Sequence, residues 1–167
     1  MPADRDDLAD RFAAALAPVG GVTVRAASHA DALERVRDLV AGRPLVVDAD
    51  PVLVGLGLTP VADPWDAQVG VSTAVAAVAE TGSLAVACDA DHPRSTSLLP
   101  PVHVAVIPDD RLVEDYADAI TVLAALRPTP SGMSMITGTS STGDIEMTLV
   151  RGVHGPQEVH VIIYPAP

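Results

Sequence analysis

Lysine is absent from this 167-residue chain, whose ten strongly basic residues are all arginine. No side chain can therefore form a Schiff base or act as the phosphate-binding lysine of a P-loop. The formal net charge is −12, and only four residues are aromatic. Nucleic-acid binding relies on a basic face and often on aromatic stacking platforms. We therefore expect no nucleic-acid partner.

Cysteine is nearly absent as well. The single cysteine, Cys88, can neither close an internal disulfide nor bind zinc or an iron–sulfur cluster alone. No His or Cys pair has a local metal-ligand spacing, so we predict no metal site. Apolar runs stay far below the ~20 residues of a membrane span, and the first four residues lack a secretory pattern. The expectation is a cytoplasmic chain without a membrane span or cofactor of its own.

Hydrophobic residues make up 49% of the chain and charged residues 19%, which is typical of a globular protein, and the length predicts one domain over residues 1–167. Helical and strand patterns alternate. We predict helices over 4–17, from Ser28 or Asp31 to before Gly42, and over 112–126, and strands over 22–24, 45–47, 83–87, 102–107, 134–137 and 158–164. Segments 74–80 and 144–149 fit helix or strand, and 50–66 reads as loop with one short helical turn. The alternation predicts an α/β fold with a parallel or mixed sheet covered on both faces.

Two glycine patterns resemble nucleotide-binding motifs and fail. Pro60 breaks the dinucleotide fingerprint that begins at Gly55, and residues 144–145 (DI) replace the Lys-Ser/Thr pair of a P-loop after 138–143 (GTSSTG). The second segment still combines glycines with four hydroxyl residues after a predicted strand. Such a turn can bind a carboxylate or phosphate, or it can simply cap a helix. The candidate ligand-binding residues here are Gly138, Ser140, Thr142 and Asp144.

Four other residues could carry chemistry. Glu80 is the only acid between residues 67 and 87, so it is a candidate nucleophile or base, or else a turn residue. Arg94 could clamp a carboxylate or be solvated, and His103 could bind a ligand or be a satisfied core histidine. His154 lies between glycines before a proline, where its ring could face a cleft. We predict that these four residues converge on one cleft at the strand ends.

The same residues carry a resemblance to a known family. The segments 79–83 (AETGS), Arg94 with 97–103 (SLLPPVH), 136–140 (ITGTS) with Thr142 and 144–146 (DIE), and 152–156 (GVHGP) resemble the signatures of the LUD domain family. The resemblance is strongest over residues 69–167. The family usually has Pro, Arg and Ala where this chain has Thr139, Ser141 and Gly143, so the loop lacks an arginine that would attract an anion.

The resemblance implies a Rossmann-like three-layer sandwich similar to the NagB/RpiA/CoA-transferase-like group. It further implies a role in the oxidation of L-lactate to pyruvate beside partner subunits that carry iron–sulfur clusters. The leading hypothesis is a subunit that binds a small carboxylate or anion, or organises those partners, with no cofactor in this chain. The alternatives are an acyl- or CoA-transferase-like enzyme that uses Glu80, with His154 as a second catalytic residue, and a module that binds a hydroxy acid.

Overall fold

The computed structural model of the chain describes residues 4–142, 150–151 and 154–167. Within them four α-helices occur: α1 (Arg5–Leu16), α2 (His29–Val40), α3 (Arg94–Leu98) and α4 (Tyr116–Ala125). The strands are β1 (Gly21–Arg25), β2 (Leu45–Val47), β3 (Val69–Ser72), β4 (Ala76–Val78), β5 (Ser83–Cys88), β6 (Val102–Pro108), β7 (Leu112–Val113), β8 (Gly132–Thr137), β9 (Ser141–Thr142), β10 (Val150–Arg151) and β11 (Glu158–Tyr164). The α/β class predicted from the sequence is confirmed.

The first two helices form where caps and apolar spacing coincide. In α1 the Asp4 side chain accepts a hydrogen bond from the Asp6 amide, and Leu8, Phe12 and Leu16 are buried four residues apart. In α2 the Ser28 hydroxyl accepts from the Asp31 amide. Both helices were predicted, and α2 begins at the first of the two proposed caps.

Five strands form a fully parallel sheet in the order β1-β11-β6-β3-β2. Parallel strands need crossover connections and place all their carboxyl ends on one side. We call that side the carboxyl edge; its strands end at Arg25, Val47, Ser72, Pro108 and Tyr164. The opposite side, the amino edge, is where the strands start at Gly21, Leu45, Val69, Val102 and Glu158.

A second sheet of four strands has the order β7-β4-β5-β8 and mixes one parallel pair with two antiparallel pairs. One face of the parallel sheet packs on α2, and the other packs on α1 and the second sheet. Helix α4 covers the far face of the second sheet through Ala119 and Leu123. The chain thus stacks helices and sheets around three apolar interfaces.

Two segments differ from their predictions, and a third, for which helix and strand were both open, contains a strand. Residues 112–126 are not one helix: Leu112 and Val113 pair with β4, and α4 begins at Tyr116 because the Asp115 side chain caps it. The ambiguous segment 74–80 contains strand β4, which forms a hairpin with β5. The polar stretch after Cys88 includes the short helix α3, which apolar periodicity did not indicate. Residues 144–149 lie outside the described part of the chain.

Helix α3 approaches the parallel sheet unusually closely. A Cβ on Gly70 of β3 would lie 1.8 Å from the Thr96 carbonyl oxygen of α3, so only glycine fits there. This contact places α3, and the polar loop that precedes it, beside the end of β3. The loop thereby reaches the carboxyl edge.

Candidate functional site

The carboxyl edge carries a cavity of about 410 Å³. Its wall includes Thr73 after β3, Arg111 after β6, and Asp50 after β2, together with Asp89 and His92 from the loop before α3. The remaining wall is largely apolar and is supplied by Ala74, Val75, Ala87, Val122, Leu126, Pro128 and Pro130, with Arg127 and Thr129 as its polar members. Ligands of open α/β sheets commonly bind outside the carboxyl ends of the strands. The cavity has that position, and its volume suits a small molecule.

Arg111 is fixed at this cavity by its backbone surroundings. One terminal nitrogen, Nη1, donates to the Thr73 hydroxyl at 3.0 Å and to the Ala74 carbonyl at 2.9 Å. Thr73 in turn donates to the Val106 carbonyl at 2.9 Å. Among the described residues no carboxylate forms an ion pair with Arg111. The guanidinium is therefore held in place by neutral groups and keeps its charge for a ligand.

His92 bridges two loops at the same cavity. Its Nδ1 lies 2.8 Å from Asp89 Oδ1, and its Nε2 lies 3.1 Å from Asp50 Oδ2. Burial lowers the pKa of His92, but the hydrogen bonds with Asp89 and Asp50 together outweigh it, so the pKa is raised. These hydrogen bonds stabilise the imidazolium form of His92 relative to an unperturbed histidine.

A second, smaller cavity of about 20 Å³ adjoins the first, and Thr73, Ala87 and His92 line both. Asp48 lines only the smaller cavity, is 7% exposed, and has an Oδ1 with no partner among the described atoms. Burial raises the pKa of Asp48 to about 6. Burial also raises the pKa of the Cys88 thiol, against the opposing charge of Arg94. The smaller cavity is therefore lined by two titratable groups, Asp48 and Cys88, whose pKa values are raised by burial.

Of the predicted site residues, Arg94 lies nearest this edge. It is the first residue of α3, is exposed, and lines the smaller cavity together with Asp48 and Cys88. Its position is compatible with a contact to an anion, which stays a prediction.

His103 is completely buried in β6 and does not line the cavities at either edge. Its Nε2 lies 2.8 Å from the Ser72 hydroxyl, and its Nδ1 has no partner among the described atoms. Burial lowers the pKa of His103 to about 4, so the ring is neutral at physiological pH. This position is the one expected for a core histidine, which was one of the two interpretations that the sequence left open for His103.

Glu80 lies in the hairpin turn between β4 and β5 and is exposed. Its amide donates to the Glu114 carbonyl at 3.1 Å. The carboxylate does not line the cavities at either edge of the parallel sheet. This placement matches the turn interpretation and offers no concave surface for a nucleophile.

The predicted binding loop lies at the amino edge. A Cβ on Gly138 would come within 2.2 Å of the Val19 carbonyl, which itself accepts a hydrogen bond from the Thr139 amide. The Ser140 amide donates to the Pro156 carbonyl at 2.9 Å. These two amides therefore serve backbone packing rather than an anion. Thr142 is part of β9, and Asp144 lies outside the described residues.

His154 is exposed at the amino edge, where it lines a groove of about 380 Å³ with Trp65, Leu98, Pro101 and Gln157. The groove is separate from the carboxyl-edge cavities, and none of the other predicted residues with a described side chain lines it. Gly155, the residue after His154, lies against Ser140, since a Cβ built on it would be 3.1 Å from the Cβ of Ser140. The described structure does not gather Glu80, Arg94 and His154 around one cavity.

Sequence reasoning missed most of the carboxyl-edge residues: Asp48, Asp50, Thr73, Asp89, His92 and Arg111. A signal was present, because Asp48 directly follows the predicted strand 45–47 and Arg111 follows the predicted strand 102–107. Applying the strand-end rule to every predicted strand would have singled out both. His92 could not be found in this way, since α3 and its close contact with Gly70 bring it to the edge.

No grouping of three or more His, Cys, Asp or Glu side chains suited to a metal ion is found in residues 4–142, 150–151 and 154–167. The helices in this part of the chain are too short and too polar to cross a bilayer.

Fold and site together define an α/β protein with a polar cavity at the carboxyl edge of a parallel sheet. The sequence profile of the LUD domain matches residues 65–164, and this chain belongs to the LUD domain family. The family resemblance drawn from the sequence motifs is thereby confirmed.

Two relatives illustrate the match. "Lactate utilization protein C" of Oceanobacillus iheyensis is 38% identical over 101 residues, which cover 58% of this chain and 43% of that protein. The protein of the same name from Bacillus subtilis is 31% identical over 162 residues, covering 80% of this chain and 67% of that protein. This chain thus spans less than half of the first relative and two thirds of the second.

A solved structure shares the fold. The crystal structure of a DUF162 family protein from Deinococcus radiodurans superposes with a TM-score of 0.72 at 21% identity. The superposition covers 98% of this chain and 99% of that chain. The α/β arrangement described above is therefore shared with an experimental structure.

Proposed function

We propose that this chain is a component of a lactate-utilization system and that it binds a small carboxylate in the carboxyl-edge cavity. The relatives named lactate utilization protein C support the process. The observation that carries the site is Arg111, whose guanidinium is fixed at the cavity by Thr73 and Ala74 and meets no carboxylate of the described residues. An arginine placed in this way binds a carboxylate through paired N–H donors.

The rest of the cavity suits a short hydroxy or keto acid. Apolar side chains such as Val75, Val122 and Leu126 offer a surface for a methyl group, and the His92 imidazolium adds a second positive charge. Asp50 and Asp89 each pair with His92, which reduces their repulsion of an anion. The volume of about 410 Å³ exceeds what L-lactate needs, so longer carboxylates of the same class are also candidates.

Oxidation of L-lactate to pyruvate releases two electrons and two protons, and amino-acid side chains alone do not accept the electrons. We propose that partner subunits with iron–sulfur clusters accept them and that this chain contributes carboxylate binding or assembly. The purified chain should be colourless and unable to reduce an artificial acceptor with L-lactate. Acceptor reduction should appear when iron–sulfur partners co-purified from the native host are added, and it should fall when this chain is omitted.

The acyl-transfer alternative depends on Glu80, and no specific observation favours it. Glu80 is exposed in a hairpin turn away from the cavities at both sheet edges. We therefore carry the carboxylate-binding proposal forward. The hydroxy-acid-binding alternative uses the same cavity and differs only in whether partners act on the ligand.

The carboxylate site is tested by calorimetric titration with L-lactate and pyruvate. Arg111→Gln removes the charge at similar size and should weaken binding by at least about tenfold, the effect of losing one charge-assisted pair. The matched control is Arg35→Gln, because Arg35 pairs with Asp31 on the outer face of α2. Equal affinity in wild type and Arg111→Gln, or no binding of either acid by the wild type, would contradict the proposal.

A further inference from the structure

His92 occupies a special place at the carboxyl edge, because it bonds carboxylates on two different loops. Asp50 belongs to the loop after β2, and Asp89 to the loop after β5. Each carboxylate is itself fixed by backbone amides: Asp50 Oδ1 accepts from Val52, and Asp89 Oδ1 accepts from Asp91 and His92. The two acceptors are therefore rigidly presented to the ring from opposite sides.

The chemistry of imidazole makes this bridge depend on a proton. A neutral imidazole carries one N–H and one lone pair, so it can donate to only one of the two carboxylates. The other carboxylate would then face a lone pair across about 3 Å, which is repulsive. Only the imidazolium donates to both Asp50 and Asp89.

We propose that protonated His92 is a positioning residue that clasps these two loops around the carboxylate cavity, so that carboxylate binding is coupled to uptake of a proton by His92. The inference rests on the proposed function, since it concerns regulation of the same site. A backbone bond from the Ala49 amide to the Asp91 carbonyl joins the loops at 2.9 Å in either state. Deprotonation therefore changes the cavity wall and its charge without separating the loops.

The acidic groups around His92 favour its imidazolium form, whereas the neighbouring arginines oppose it. Asp48 lies close enough to raise the pKa of His92, and His92 in turn lowers that of Asp48. Charged and titratable side chains that share a cavity with the ring are Asp48, Asp50, Cys88, Asp89, Arg94, Arg111 and Arg127. An anionic ligand at Arg111 adds negative charge on the cavity side of the ring. By linkage it stabilises the imidazolium, and the imidazolium stabilises the bound ligand equally.

The first measurement is direct and needs no ligand. Titration of the histidine ring signals by NMR should show a pKa of His92 above its ordinary value, with the other histidines as internal references. Asp50→Asn and Asp89→Asn keep the oxygen that accepts from the backbone but remove the charge, and each should lower the pKa of His92. Asp91→Asn is the matched control: Asp91 lies in the same loop, and no bond from its side chain to the ring is found in the described chain.

The second measurement addresses coupling. L-lactate and pyruvate are titrated calorimetrically from pH 6 to 9 in buffers of different ionisation enthalpy, which reports protons taken up on binding. We expect fractional proton uptake near the pKa of His92 and affinity that falls about threefold as pH rises through it, the effect of one partly exposed charge. His92→Gln should abolish the uptake and flatten the pH dependence. It should retain binding at high pH.

The outcomes separate the two proposals. If a carboxylate binds without proton uptake, or if the uptake is unchanged in His92→Gln, the proposed role of protonated His92 is wrong. The proposal of a carboxylate site is not affected by that result. An ordinary pKa of His92 that Asp50→Asn and Asp89→Asn do not change also overturns the clasp. If neither acid binds the wild type, the proposed function fails, and the coupling fails with it, while the NMR titration still decides whether His92 bridges the loops as an imidazolium.

Discussion

The two edges of the parallel sheet differ in what they are built from. The amino edge holds the motif segment 136–140, with Gly138 against Val19 and the Ser140 amide on Pro156. The carboxyl edge holds charged and titratable residues that belong to none of the family motifs, among them His92 and Arg111. Recognisable glycine motifs here reflect close packing of backbone, whereas the polar cavity arises where separate strands end side by side. Four predictions test this division, from the largest expected effect to the smallest.

Gly70→Ala should destabilise the protein most. The added Cβ would meet the Thr96 carbonyl at 1.8 Å, so α3 must move away from β3. We expect the free energy of unfolding to fall by about 3 kcal/mol or more, measured by urea denaturation. Gly132→Ala is the control, because its Cβ would find its nearest neighbour at 3.8 Å, an ordinary contact. Equal stability of the two variants would mean that α3 is not fixed by this contact.

Asp48 and His103 should affect stability with opposite dependence on pH. With a pKa of about 6 in the fold against an ordinary 3.8, Asp48 binds more protons folded than unfolded, so its contribution falls as pH rises from 4 to 6. With a pKa of about 4 against 6.5, His103 binds fewer protons folded, so its contribution rises over the same range. Each change is on the order of 3 kcal/mol, and the two nearly cancel.

Single substitutions should therefore expose each contribution. Asp48→Asn should make stability rise with pH between 4 and 6 relative to the wild type, and should stabilise the protein at pH 8. His103→Gln should make stability fall with pH over the same interval. Urea denaturation at half-unit pH steps measures both, as differences from the wild type. Parallel profiles of all three proteins would show that neither group titrates abnormally.

Gly138→Ala at the amino edge and Arg111→Gln at the carboxyl edge should differ in their effects on stability and on carboxylate affinity. The first variant places a Cβ at a positive φ of 65° and 2.2 Å from the Val19 carbonyl, and should cost about 2 kcal/mol of stability. It should leave carboxylate affinity unchanged. Arg111→Gln should leave stability nearly unchanged in urea denaturation and should weaken carboxylate binding in calorimetry. Loss of carboxylate binding in folded Gly138→Ala would move the site toward the amino edge.

His154→Ala should have the smallest effect. Its side chain is exposed, so stability should change by less than about 0.5 kcal/mol. Carboxylate affinity should stay within about twofold of the wild type, because the groove of His154 lies at the other edge from Arg111. A tenfold loss of affinity would break the comparison and restore His154 as a site residue.

Much of the fold followed from local patterns. The strand predicted over 158–164 matches β11 at both ends, and α1 begins directly after the Asp4 cap. The start of α4 was predicted four residues too early. Leu112 fits the apolar spacing of a helix, but it fits a buried strand position equally well, and in the structure it lies in a strand beside Ala77. Strand pairing is non-local, so the local pattern of a short apolar segment does not reveal which neighbour it will meet.

The sequence by itself determined the alternation of helices and strands, the caps at Asp4 and Ser28, and the membership of the LUD domain family. It also determined that lysine chemistry is absent. These properties depend on residues close together in the chain, or on residue types alone. Only the tertiary structure decided that His92, Asp50 and Arg111 share one cavity while Glu80 and His154 lie elsewhere. That outcome depends on strand order and on the contact between α3 and Gly70, which join residues far apart in sequence and bring the Asp50 carboxylate to the His92 ring.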